Sequence, residues 1–213
     1  MVAMSELLLN LPFAQHMSVT GEAATGPEGP DLEDIQAVLR GERERFARLV
    51  ERYQHTISTY MWRFTRDPAQ CEELVQEVFV EAYFSLGKFR AEAPFLHWLR
   101  VIATRTGYRY WKRRAHERTQ VEAREALARE PRTMRDSGAE RAERAELVHA
   151  ALETLPPRDR VVLVLLYLEG LSAGEAAQRL GWNATLVRVQ AHRARQKLKL
   201  ALEKMQEHEH EDR

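Results

Sequence analysis

A single cysteine, Cys71, occurs in 213 residues. That excludes an internal disulfide and a thiolate-rich zinc centre. Glycine (10) and proline (8) are sparse, and the alternation of β-branched with polar residues that marks strands is nearly absent. No apolar run approaches the ~20 residues of a membrane span. The patch Leu7, Leu8, Leu9 and Leu11 has no basic residues ahead of it, so it lacks the charged start of a secretory signal. No glycine-rich phosphate-binding loop is present. The expectation is a soluble, cytoplasmic, all-α protein.

What the chain has in quantity is charge, 30% of residues, summing to zero. The sum hides segregation. Between Asp67 and Glu81 lie Asp67, Glu72, Glu73, Glu77 and Glu81 with no Lys or Arg. Between Phe95 and Arg118 lie Arg100, Arg105, Arg109, Lys112, Arg113, Arg114 and Arg118 against Glu117 alone. Between Ala184 and Leu200, Arg188, Arg193, Arg195, Lys197 and Lys199 face no acid at all. Local charge decides which polyanion a surface can meet, so the chain offers two basic surfaces and one acidic surface unsuited to DNA.

Hydrophobic spacing divides the chain into two small helical domains. Residues 1–30 end in Thr25-Gly-Pro-Glu-Gly-Pro30 and read as a flexible leader. Over 31–117, Ile35, Val38, Leu39, Phe46, Leu49, Val50 and Tyr53 recur at helical spacing and continue through Ile57, Tyr60, Met61 and Phe64. Asp67-Pro68 marks a helix start, Gly87 a stop, and Pro94 the opening of a further helix. Residues 118–141 mix Arg, Glu and Ala without an apolar stripe and read as a linker. A second domain occupies 142–205, with a helix from Val161 to Leu168, and 206–213 reads as a disordered tail.

In the second domain, Ser172-Ala-Gly-Glu175 has the form of a capping box, Gly181 supplies a stop, and Asn183 caps the next helix. This is a helix-turn-helix. Its last helix keeps Leu186, Val187 and Ala194 inward and offers Thr185, Arg188, Gln190 and Arg193 outward, short polar and basic groups that suit major-groove base edges. A plain helical hairpin with a solvated basic face is the bland alternative.

The helix from Pro94 joins His97, Trp98, Tyr108, Tyr110 and Trp111 to seven basic side chains. Aromatic platforms beside cations suit unpaired bases. The alternative places Trp98 and Tyr110 in the core, and Trp98 does share the stripe of Phe95, Leu99 and Ile102. The acidic helix carries Leu74, Val75, Val78, Phe79, Ala82, Tyr83 and Leu86 on one stripe and Glu73, Gln76, Glu77 and Val80 on another face. A nuclease-like metal site on Glu73 and Glu77 lacks a His or Asp at matching spacing. A solvated face is possible, and docking onto a basic or polar groove of a partner protein is the preferred reading. Cys71 reads as a partly buried thiol, and His208 and His210 as part of a solvated end.

These motifs carry a family resemblance. Cys71-Glu-Glu-Leu-Val-Gln-Glu-Val-Phe79, Lys88-Phe-Arg-Ala-Glu-Ala-Pro-Phe-Leu-His-Trp-Leu99 and Ile102-Ala103 resemble region 2 of extracytoplasmic-function sigma factors of bacterial RNA polymerase. Leu155-Pro-Pro-Arg-Asp-Arg160, Tyr167-Leu-Glu-Gly-Leu-Ser172, Ala176-Ala177, Leu180-Gly181 and His192-Arg-Ala-Arg195 resemble region 4. The resemblance runs from about Phe46 to Leu202.

It implies an initiation factor and not an enzyme, with no cofactor and no metal. Glu73, Leu74, Gln76, Glu77 and Phe79 would grip the clamp of the polymerase's largest subunit. The loop of Lys88, Phe89, Arg90, Ala91, Glu92 and Ala93 would cradle a base flipped from the promoter −10 element. Arg105, Arg109, Lys112 and Arg113 would hold the separating strands. Region 4 would lie on the flap of the second-largest subunit and read the −35 element through Asn183, Thr185, Arg188, Val189, Gln190, His192 and Arg193. An anti-sigma protein is the implied regulator, and any membrane contact would come through it.

Where relatives often carry Asn and Asp this chain has Arg105 and Arg109, and Arg188 and Gln190 stand where Lys and Arg are frequent. Base preferences therefore do not transfer. Two rivals set the contrast: a stand-alone helix-turn-helix regulator using only the second domain, and a nuclease built on Glu73 and Glu77.

Overall fold

The structure, a computed structural model, describes residues 29–125, 148 and 150–211. The described residues are helices and connecting turns, without strands. The chain divides into two compact units, one from Thr20 to Trp111 and the other including Lys112–Arg213.

The first unit opens with α1 (Pro30–Leu39) and α2 (Arg45–Met61). The apolar periodicity that runs through both in the sequence is interrupted at residues 40–44 by a tight reversal. Two acids fasten α1 to α2. Asp34, buried, accepts from Arg52 at 3.0 Å and pairs with Arg45 at 3.6 Å, and Asp31 takes Arg52 and the Tyr53 hydroxyl. A buried carboxylate needs such partners, since an isolated one would be costly to bring out of water.

Helix α3 (Pro68–Ser85) starts where the sequence predicts. Asp67 Oδ1 accepts from Ala69 N–H at 2.9 Å, with Pro68 in the first turn. Its end differs from the expected glycine stop. Gly87 does not adopt a left-handed conformation; the helix tightens into a 3₁₀ turn, Leu86–Lys88, closed by Phe89 N–H donating to the Leu86 carbonyl at 3.0 Å.

Helix α4 runs from Phe95 to Glu125, eight residues into the segment read as linker from 118 onward. Ala, Arg, Glu and Gln are strong helix formers, so the helix continues after its apolar stripe has ended. The four helices close over Leu49, Ile57, Phe64, Leu74, Val78, Leu86, Phe95 and Leu99.

In the second unit, residues 150–154 are helical, and Leu155-Pro156 breaks the chain before α5 (Pro157–Leu163). The helix expected to start at Val161 thus starts four residues earlier, with Pro157 in its first turn. It widens into a π turn over Val164–Leu168, where Glu169 N–H reaches the Val164 carbonyl at 3.0 Å. Helices α6 (Ala173–Leu180) and α7 (Ala184–Glu211) complete the unit. Val148, Ala151, Leu152, Leu155, Leu163, Ala194 and Leu198 form its core. The tail read as disordered from 206 is helical through Glu211, because Leu, Glu, Lys, Met and Gln sustain the helix of α7. The leader up to residue 28, and linker residues 126–147, lie outside the described residues.

Candidate functional site

The register of α3 separates its two faces. Cys71, Leu74, Val78, Phe79 and Ala82 point into the core, while Glu73, Gln76, Val80 and Phe84 are exposed and Glu77 is half-buried. Two residues assigned to the docking face are therefore misplaced. Leu74 is 2% exposed and Phe79 6%, because both lie on the stripe that packs against the other helices. The face that a partner can touch consists of Glu73, Gln76 and Glu77, continued one and two turns on by Val80 and by Phe84, which is 81% exposed. Phe84 was not assigned from the sequence; its spacing of seven from Glu77 carried the signal. Glu73 accepts from Gln70 Nε2 at 2.9 Å, and Glu77 pairs with Arg109 at 3.4 Å. The two carboxylates thus have separate partners, and no group of three or more His, Cys, Asp or Glu among the described residues is arranged to hold a metal.

On α4, the aromatic platform does not exist as expected. Tyr110 and Trp111 are buried: the indole N–H of Trp111 donates to the Phe64 carbonyl at 2.7 Å, and its ring lies 4.5 Å from that of Phe64. Tyr110 continues the stripe Phe95, Leu99, Ile102, Ala103 and Thr106, so burial was readable from spacing. Trp98 is half-buried against Phe89 and Phe95. His97 is exposed and Tyr108 half-buried.

Arg105, Arg109, Lys112 and Arg113 are all exposed, and Arg109 is held by side chains of α3 and α4. Its guanidinium donates to both carboxylate oxygens of Glu81, to Glu77 at 3.4 Å and to Thr106 Oγ1 at 3.0 Å. The hydrogen bond to Glu81, with the charges of both acids, raises its pKa above the usual arginine value. Neither Glu81 nor Thr106 stands out in the sequence, because their meeting around Arg109 depends on how α3 and α4 are rotated against each other.

The loop between these helices has Lys88, Arg90 and Glu92 exposed and Ala91 and Ala93 half-buried. The ring of Phe89 packs edge-on to Phe95 at 5.6 Å, which anchors the loop's entry. Ala91 sits at φ 58°, the one non-glycine residue with positive φ among those described. A side chain held in that region costs roughly 1–2 kcal/mol and recurs where a loop must be shaped for contact.

In the second unit the capping chemistry is as read. Ser172 N–H donates to Glu175 Oε2 at 2.8 Å, and Glu175 N–H donates back to Ser172 Oγ at 3.3 Å. Gly181 closes α6 in the left-handed region at φ 69°, where a side chain would be strained. Asn183 Oδ1 accepts from Leu186 N–H at 2.7 Å and starts α7. Buried Ala176 and Ala177 let α6 cross α7 closely. Thr185, Arg188, Val189, His192 and Arg193 lie on the exposed side of α7, with Asn183 at its start. Gln190 departs only in part from the expectation of an outward side chain: it is half-buried, and its Nε2 donates to Asp159 Oδ1 of α5 at 2.5 Å. At position 190 the helix has turned onto the flank that meets α5.

Comparison with known proteins places both units. Residues 49–117 match Sigma-70 region 2, and residues 145–198 match Sigma-70, region 4. The chain is 32% identical over 183 residues to the RNA polymerase sigma-H factor of Pseudomonas aeruginosa, covering 81% of this chain and 94% of that protein. It is 30% identical over 174 residues to the ECF RNA polymerase sigma-E factor of Escherichia coli, covering 76% and 88%. Among solved structures, CnrH in complex with the cytosolic domain of CnrY aligns with a TM-score of 0.52 at 26% identity, over 82% of this chain and 98% of that one. The sigma factor RpoE of Bartonella quintana, solved with the anti-sigma factor NepR, shares the fold with a TM-score of 0.52 at 19% identity, over 74% and 96%.

Proposed function

The chain belongs to the extracytoplasmic-function group of sigma-70 factors and serves promoter-specific transcription initiation, and from that premise we propose how its surfaces divide the work. The outer face of α3, with Glu73, Gln76 and Glu77, docks on the clamp of the largest subunit of core RNA polymerase, and Val80 and Phe84 extend that contact with apolar area. Leu74 and Phe79 act from beneath, by holding α3 in place. The observation that carries this reading is the exposed acidic face of α3 in the same chain as a capped helix-turn-helix: such a face repels DNA and needs a protein partner.

The loop from Lys88 to Ala93 receives an unpaired base of the −10 element. Its shape rests on the Phe89 anchor and the strained Ala91. Arg105, with Lys112 and Arg113 further along the basic run, draws the strand phosphates close. Arg109 has a different task. Committed to Glu81 and Glu77, it fastens the basic helix to the docking helix. Binding energy gained from captured bases favours strand opening, without nucleotide hydrolysis by this chain.

Helix α7 enters the major groove of the −35 element N-terminus first. Asn183 and Thr185 lie nearest the base edges, Arg188 and Val189 follow, and His192 and Arg193 reach the backbone. The second unit also rests on the flap of the second-largest subunit. Matches on both units favour this reading over a stand-alone helix-turn-helix regulator, which would leave the first unit without a task. The anti-sigma complex of the Bartonella quintana relative supports an anti-sigma partner here too, and the factor works in the cytoplasm with the polymerase. No helix among the described residues is long and apolar enough to cross a membrane.

The test is run-off transcription with purified chain and core polymerase on fragmented genomic DNA. Discrete start sites that require the chain are expected. Polymerase activity that the chain does not redirect would overturn the proposal.

A further inference from the structure

The carboxylate of Asp159 is 1% exposed, yet it meets two polar side chains of α7. Gln190 Nε2 donates to Oδ1 at 2.5 Å, and Lys197 Nζ donates to Oδ2 at 2.6 Å. Lys197 offsets the buried charge. The contact with Gln190 has a different consequence, because a glutamine amide has two ends and a carboxylate accepts only from one of them.

Which way an amide points is usually a matter of inference from its neighbours. Here the neighbour decides. A carboxylate repels Oε1, so the NH₂ end must face Asp159. Of the two N–H bonds, the one cis to Oε1 would bring that oxygen alongside the carboxylate; the trans N–H keeps it away. The remaining pair, Oε1 and the cis N–H, is then left side by side on the edge of the amide turned from α5. Among the described residues nothing donates to Oε1. Gln190 lies one turn before the exposed Arg193 on α7, within the stretch proposed above to read the −35 element.

An acceptor beside a donor, held in one plane, matches one base edge in the major groove: adenine, whose N6 amine donates and whose N7 accepts. Guanine offers two acceptors there, and thymine and cytosine lack the pair. A freely rotating glutamine could flip and present either end to different bases. One clamped by Asp159 cannot.

We propose that Asp159, which touches no DNA itself, is a specificity-positioning residue: it fixes the amide of Gln190 so that the chain selects adenine at one position of the −35 element. This rests on the proposed −35 reading, with α7 in the major groove. Asp159 thereby sets base preference from α5, outside the recognition helix.

The experiment is selection from a library randomised across the −35 element, using holoenzyme reconstituted from the full chain and core polymerase, with start sites read by sequencing. The wild-type chain is expected to favour adenine at one position by on the order of tenfold. Gln190→Ala, which leaves Asp159 with Lys197, should erase that preference and no other. Asp159→Asn gives the side chain an N–H that can bond Oε1, so the amide is free to flip. It should relax the same position while the rest of the profile, and the −10 preference, are retained. Two outcomes overturn the proposal: a Gln190→Ala profile identical to wild type, or an Asp159→Asn protein that keeps its wild-type melting temperature and full adenine preference. The first needs no buried substitution, so poor folding of Asp159→Asn cannot shield the idea. Absence of any promoter-specific start would instead count against the sigma-factor assignment of the surfaces.

Discussion

Arg109 reaches from α4 to Glu81 on α3 and donates to both oxygens of its carboxylate, with Glu77 close by on the same face. The basic helix and the acidic helix are thus joined at the point where their charges would otherwise have separate uses. Each phosphate contact that is removed lowers the salt slope of DNA binding by about one. Arg109→Ala should change the slope of single-strand −10 binding by holoenzyme by clearly less than that. Its stability cost should stay below about 1 kcal/mol, since the side chains involved are a third to a half exposed and screened by solvent. Affinity titrations at several salt concentrations, with a urea melt, check both.

At Gly107, α4 packs directly against the ring of Phe64. A Cβ added there would overlap the ring of Phe64, itself 1% exposed. Two effects compete in Gly107→Ala. Alanine gains about 1 kcal/mol of helix propensity, and overpacking a rigid core costs about 1–3 kcal/mol. The clash wins because the ring has no room to yield, so the variant should be less stable by up to about 2 kcal/mol. Adding Phe64→Leu should recover part of the loss. Tryptophan fluorescence during urea unfolding follows this, as Trp111 packs directly on Phe64.

The thiol of Cys71 is buried, and burial raises its pKa above the usual cysteine value; its S–H donates to the Ser58 carbonyl at 3.7 Å. Thiolate is the reactive form, so Cys71 should react with a disulfide reagent near pH 8 far more slowly in the folded chain than in denaturant. The linkage has a definite sign. The folded state holds its proton more tightly than the unfolded one, so this contribution to stability is present below the unfolded thiol pKa and is lost as pH rises through the folded value. Fast labelling of the native chain would show that α3 opens readily.

How much of this was legible in the sequence depends on how local each cause is. Asp67, Ser172, Glu175, Gly181 and Asn183 satisfy backbone groups within three or four residues of themselves, so their roles could be read from spacing alone. The burial of Tyr110 and Trp111 was harder, because it depends on Phe64 more than forty residues earlier, although the stripe from Phe95 to Thr106 pointed to Tyr110. Leu74 and Phe79 belonged to an apolar stripe visible in the sequence, and the docking assignment overrode it. The bonds Glu81–Arg109 and Asp159–Gln190 had no sequence signal beyond the presence of the residue types, since each joins helices whose relative rotation is set by packing. The extension of α4 to Glu125 shows the converse error: absence of an apolar stripe removes packing, but Ala, Arg and Glu still favour helix.

Polymerase docking through the acidic face of α3 underlies the division of surfaces proposed above. Its most direct test is the affinity of core polymerase for a Glu73→Lys, Gln76→Lys variant, measured by competition against labelled wild-type chain. These positions leave the bond between Arg109 and Glu81 untouched, and a Thr185→Ala, Arg188→Ala variant serves as a control on the other surface. At least a tenfold loss of polymerase affinity is expected for the first variant, and wild-type affinity for the second. Wild-type affinity in the charge-reversed chain would rule out docking through this face.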